Sequence, residues 1–186
     1  MKTEQQYFQE SKTMAQYMGD MSQLKEQSFV IYNGFEVPTN DEFINQLEAA
    51  KLHILAITED WCGDAMINNP IIRKIAEAAN TEIRTVLRDA DTDLIDRYLT
   101  NGGRAIPVYL LLNETGEVIG TWGPRAPQLQ EFVMNMREQL PAKEDAKFDD
   151  AQKAMYDNMR KQYTENPQMW AYVYEDFKAK VAGVLK

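Results

Sequence analysis

From His53 to Gln139 the chain switches repeatedly between the period of a strand and the period of a helix, and that alternation leaves few folds open to it. HILAI (53–57) and VYLLL (108–112) are short apolar runs of the kind shown by strands buried on both faces. EIRTVL (82–87) and EVIGTW (117–122) read as two further strands, and the turn Asn113-Glu114-Thr115-Gly116 makes the last two strands a hairpin. Between and after them run helical patterns: Ile71, Ile72, Ile75 and Ala79, then Thr92 to Asn101 closed by Gly102-Gly103, then Gln128 to Gln139. Another helix, carrying Phe43, Ile44 and Leu47, precedes the first strand, and Thr39-Asn40-Asp41-Glu42 predicts a capping box at its start. The order β–α–β–α–β–β–α predicts an α/β sandwich with a central mixed sheet.

The flanks are helical in pattern. Tyr7, Met14, Tyr17, Met18, Met21 and Leu24 recur at helical spacings, predicting an N-terminal helix over residues 1–27 that ends where the pattern changes to FVIY. Beyond Pro141, Phe148, Met155, Met159 and Tyr163 form one stripe, and Trp170, Val173, Tyr174, Phe177, Val181 and Leu185 form another. The break at Asn166-Pro167 predicts a helical pair over 141–186. With roughly 150 residues per domain, residues 1–186 are expected to form one domain, its body at 28–140. The flanking methionines Met14, Met18, Met21, Met155, Met159 and Met169 either complete that body's core or offer an adaptable face to a partner or to a second copy.

Charge and cysteine usage narrow the chemistry. A net charge of -9 and a pI near 4.7 argue against nucleic acid as a partner. No apolar run approaches the ~18 residues of a membrane span, and the N-terminus lacks a signal-peptide pattern, so the expected location is the cytoplasm. A single cysteine, Cys62, excludes an intramolecular disulfide and a thiolate-built zinc site. Asp89-Ala90-Asp91-Thr92-Asp93 imitates a calcium loop, but Leu94 and Thr100 stand where the loop needs glycine and glutamate. It reads instead as a strand end and helix cap, and neither metal nor cofactor is expected. His53, the only histidine, opens the strand that Cys62 follows, ~15–20 Å away along an extended chain.

Cys62 lies in Asp60-Trp61-Cys62-Gly63-Asp64-Ala65, just after a strand and at the start of a helix. Unpaired N–H groups and the positive end of the helix dipole favour a thiolate there, whereas the carboxylate of Asp64 opposes it. The same position also suits a small apolar side chain buried at a strand–helix junction. Position alone leaves both readings open.

Trp61-Cys62-Gly63-Asp64-Ala65 resembles the W-C-G-P-C motif of the thioredoxin family. Pro70 stands where that family kinks its active-site helix, and Arg104-Ala105-Ile106-Pro107-Val108 is similar to its R-G-I-P-T segment, whose proline is cis. Asn113 to Val118, followed by Gly120 and Gly123, is similar to its hairpin and closing glycine. The resemblance covers residues 28–140 and implies a thioredoxin-like sandwich with a cis Ile106–Pro107 bond. It makes Cys62 the nucleophile and Trp61, Gly63, Asp64, Ile106 and Pro107 the substrate groove. Two departures alter the expected chemistry: the family's second cysteine is Ala65 here, and its buried carboxylate is Ala56. Together they argue against a dithiol reductase. They leave a monothiol that forms mixed disulfides with protein or small-molecule thiols and is released by an external thiol. The other reading is a non-catalytic thioredoxin-fold binding module. For the first, helix-end donors are expected to outweigh Asp64 and bring the thiol below the ~8.5 of a free cysteine.

Overall fold

Each strand pattern became a strand in the computed structural model, which describes residues 1–186. In chain order the elements are α1 (Glu4–Glu10), β1 (Lys12–Thr13), α2 (Met14–Asp20), α3 (Lys25–Gly34), α4 (Glu42–Ala50), β2 (His53–Thr58) and α5 (Gly63–Ala78). Then follow β3 (Glu82–Leu87), α6 (Thr92–Ile95), β4 (Val108–Leu112), β5 (Val118–Trp122), α7 (Pro127–Glu138), α8 (Phe148–Glu165) and α9 (Pro167–Val184). The sheet order is β1-β3-β2-β4-β5. β2 and β3 are parallel, joined by the crossover helix α5, and every other pairing is antiparallel. This is the mixed-sheet sandwich expected from the alternation.

Strand pleating divides the core. Ile54, Ala56, Tyr109 and Leu111 face a large core shared with α3, α4, α5, α7, α8 and α9. Leu55, Ile57, Val108, Leu110 and Leu112 face the other way, onto Tyr7 and Phe8 of α1 and Leu94 and Ile95 of α6. Pro70 within α5 has no N–H to give the carbonyl of Met66, and the Ser28 hydroxyl donates to that oxygen instead, at 3.3 Å.

Three local expectations are corrected. The N-terminal extension is helical, but it is not one helix. Thr3 and Thr13 each start a new helix through a capping box with Gln6 and Gln16, and between them Lys12 and Thr13 pair with the edge of β3. α3 then runs straight through FVIY, across the boundary at residue 28. The cap of α4 is Asp41, which accepts from the Phe43 amide at 3.0 Å; Asn40 adopts a φ of 58° in the turn before it and moves the cap off Thr39. α6 stops at Ile95 rather than Asn101, because Thr100 and Gly103 exchange two 2.9 Å backbone bonds around a tight turn.

α8 and α9 are the predicted pair, and Asn166 caps α9 by accepting from the Gln168 amide. α9 buries Val173, Phe177 and Val181 completely, and Asp176 accepts from the Trp122 indole N–H at 2.8 Å. All six flanking methionines are buried, which agrees with the first of the two readings, completion of the core, and leaves no exposed methionine stripe. No helix is long and apolar enough to cross a membrane.

Gly123 closes β5 where no other residue fits. Its φ is 119°, and a Cβ there would stand 2.3 Å from the carbonyl oxygen of Pro107. Gly123→Ala is expected to cost about 3 kcal/mol or more, roughly 10 °C in melting temperature. A melt within ~2 °C of the parent chain would refute that fit.

Candidate functional site

β2 delivers the chain to its carboxyl end at Thr58, the turn Glu59–Trp61 reverses it, and Cys62 becomes the N-cap of α5. The Cys62 amide donates to the Glu59 carbonyl at 3.3 Å, which closes that turn. The thiol faces the segment entering β4: Sγ donates to the Ile106 carbonyl oxygen at 3.6 Å. The Ile106–Pro107 bond is cis, as the resemblance implied. Cys62, Ile106 and Pro107 are thus brought together, all three buried. Trp61 is the exposed member, 42% accessible, with the Arg88 guanidinium 5.0 Å over its ring.

Gly63, Asp64 and Ala65 are buried. A Cβ on Gly63 would lie 2.7 Å from the Met159 methyl, so α8 rests directly on the motif. Asp64 is gripped by Arg125 through two contacts of 2.8 Å, one to each carboxylate oxygen, and Tyr163 of α8 donates to it at 3.0 Å. Arg125 in turn donates to Gln130 at 2.8 Å. The pair is almost wholly buried, so Asp64 holds the C-terminal helices to the motif.

The thiol is the largest correction to the sequence reading. Burial pushes Cys62 up to about 11, and the charge of Asp64 adds to the rise. The N–H groups of Ala65 and Asp64, and the Arg125 cation, draw it down without balancing these effects. Helix-end donors therefore lose to desolvation, and the resting thiol is neutral and serves as a hydrogen-bond donor.

Beside Ala56 on the sheet, the buried polar groups are hydroxyls and an amide rather than a carboxylate. Tyr109 donates to Asn69, Asn69 donates to Thr58 at 3.0 Å, and Tyr17 lies 3.5 Å from the same hydroxyl. Burial holds both Tyr17 and Tyr109 well above the usual tyrosine range, so neither accepts a proton from the thiol near neutral pH. His53 lies at the opposite end of β2 and stacks on Phe8 at 4.5 Å. Asp91 caps α6 by accepting from the Asp93 amide, as its sequence suggested.

The sequence marks Met159 and Tyr163 only as members of an apolar helical stripe, not as contacts of the motif, and gives no sign of Arg125. One signal was available for Tyr163: a hydroxyl inside an apolar helical stripe needs a buried partner.

A family model described as Thioredoxin matches residues 11–147. Two solved structures share the fold. One, a Pseudomonas aeruginosa protein of unknown function, superposes with a TM-score of 0.60 at 17% identity, over 95% of this chain and 99% of that one. The other, an HIV epitope scaffold, gives a TM-score of 0.58 at 16% identity, over 94% and 99%. No curated protein matches the chain.

Proposed function

This chain belongs to the thioredoxin family, and from that premise we propose that it takes part in thiol–disulfide chemistry through Cys62 alone, as a monothiol. One observation carries the reading. The sulfur sits at the N-cap of α5 against the Ile106 carbonyl, one residue after the exposed Trp61. In the step proposed, the Cys62 thiolate attacks one sulfur of a disulfide, forms a mixed disulfide and expels the other sulfur as a thiolate. With Ala65 at the resolving position, an external small thiol completes the cycle. Its thiolate attacks the mixed disulfide, leaves with the partner sulfur in a new disulfide, and returns Cys62. A reducing compartment such as the cytoplasm supplies such thiols.

The raised thiol sets the pace of this chemistry. With its titration near 11, roughly one molecule in ten thousand carries a thiolate at neutral pH. That same burial favours a second reading, a thioredoxin-fold binding module in which Cys62 is a packed side chain. Alkylation of the native chain across pH measures that titration directly, since no other cysteine interferes. The rate is expected to climb about tenfold per pH unit through neutrality and level off only near 11. A plateau below ~8.5 would restore the low-pKa nucleophile. For turnover, release of a peptide mixed disulfide by a small thiol should be accelerated by the chain and abolished in Cys62→Ser. Thioredoxin reductase as the only electron source should give negligible reduction. No acceleration in either assay would overturn the monothiol reading and favour the binding module.

A further inference from the structure

Two carboxylates in this chain are buried, and only one has a cation. Asp64 is paired with Arg125; Glu59, 9% exposed, belongs to no ion pair. One of its oxygens accepts from the Asp89 amide at 2.9 Å, and the other accepts no hydrogen bond. That second oxygen is not sealed away in the core, so it stays open to a donor entering from outside. Glu59 lines a cavity of 330 Å³, within the usual size for small-ligand sites.

The cavity lies at the carboxyl ends of the parallel strands β2 and β3, where open α/β sheets commonly bind ligands. Tyr17, Met21 and Leu87 give it an apolar wall, and Asp60 stands beside Glu59. Burial opposes charge on Asp60, yet hydrogen bonds from the Ser22 amide and hydroxyl hold its carboxyl below the usual range. At the rim, Lys12 and Asp20 neutralise each other at 2.9 Å. Glu59 and Asp60 therefore remain as two acidic side chains in no ion pair, next to apolar surface. No three acidic, histidine or cysteine side chains converge closely enough to hold a metal ion. An organic cation satisfies both features.

We infer that this cavity binds an alkylammonium group, its charge held by Glu59 and Asp60 and its methylenes laid against Tyr17, Met21 and Leu87. Nothing in this inference requires Cys62 to react, so it stands or falls apart from the thiol–disulfide reading. The group belongs either to a free amine or to a lysine side chain, and the two sources share this chemistry.

Calorimetric titration of the full chain with n-pentylammonium, n-pentanol and a short Nα-acetylated peptide carrying a free lysine ε-amine tests it. Saturable binding of pentylammonium but not pentanol is expected. Glu59→Gln, which keeps an acceptor for the Asp89 amide, should weaken it roughly tenfold. Tighter binding of the peptide assigns the lysine side chain, and tighter binding of the amine assigns the free ligand. Should Glu59→Gln fail to fold, the unmodified chain still decides by NMR: the Asp89 amide and Tyr17 ring resonances should shift on titration. Absence of saturation, equal binding of pentanol, undiminished binding by folded Glu59→Gln, or shifts confined elsewhere would overturn the inference.

Discussion

Deleting residues 142–186 is expected to leave a chain that no longer folds as a stable monomer. α8 and α9 contribute Met159, Tyr163, Trp170, Val173, Tyr174, Phe177 and Val181 to the core that holds Ile54 and Tyr109 of the sheet. Each large apolar side chain so buried contributes ~1.5–3 kcal/mol, whereas a whole domain is stable by only ~5–15 kcal/mol. The deletion also strips polar partners from groups that remain. The Trp122 indole loses Asp176, Asp64 loses Tyr163, and Asp41 loses Tyr174 and Lys178. Each abandoned group adds a desolvation cost on top of the lost packing. Circular dichroism melts and gel filtration of the truncated chain provide the measurement. An unchanged melting temperature in a monomeric product would show the helical pair to be an independent module, and residues 1–186 would then be two units rather than one.

How far the molecule could be read from its sequence depended on the range of the interaction in question. The strands were legible because pleating is local: Ile54 and Ala56 face one core while Leu55 and Ile57 face the other, whatever the rest of the chain does. The broken N-terminus was also legible in principle. Thr3-x-x-Gln6 and Thr13-x-x-Gln16 are capping boxes, but the apolar spacing of Tyr7, Met14 and Tyr17 masked them as one stripe. Thr39-x-x-Glu42 has the same form and fails, because a left-handed Asn40 hands the cap to Asp41. The motif Trp61-Cys62-Gly63 could be located from its spacing to Pro70 and Pro107. Its electrostatics could not. Arg125 and Tyr163 reach Asp64 across 61 and 99 residues, and Met159 settles on Gly63 from a helix whose docking no local pattern records. Because that docking contributes to covering the motif, the thiol was misjudged.

Substitutions at Asp64 and Arg125 are expected to move the thiol in opposite directions, which separates electrostatics from packing. Arg125→Met leaves the Asp64 carboxylate buried with only the Tyr163 hydroxyl and should destabilise the fold by about 3–5 kcal/mol. It also removes the cation that draws the thiol down, so Cys62 should titrate higher and alkylate more slowly. Asp64→Asn keeps an acceptor for Tyr163 and Arg125 but deletes the like charge beside the sulfur. The Arg125 cation, freed of its partner, then favours the thiolate, and alkylation near pH 8 should quicken roughly tenfold. Looser packing predicts another pattern: both variants would expose Cys62, and both would react faster. Rates measured beside melting temperatures therefore decide the matter. If Arg125→Met and Asp64→Asn both quicken alkylation, accessibility governs Cys62 and the charge argument fails; rates that part in opposite directions mean that Asp64 and its clamp set the reactivity of the only thiol in the chain.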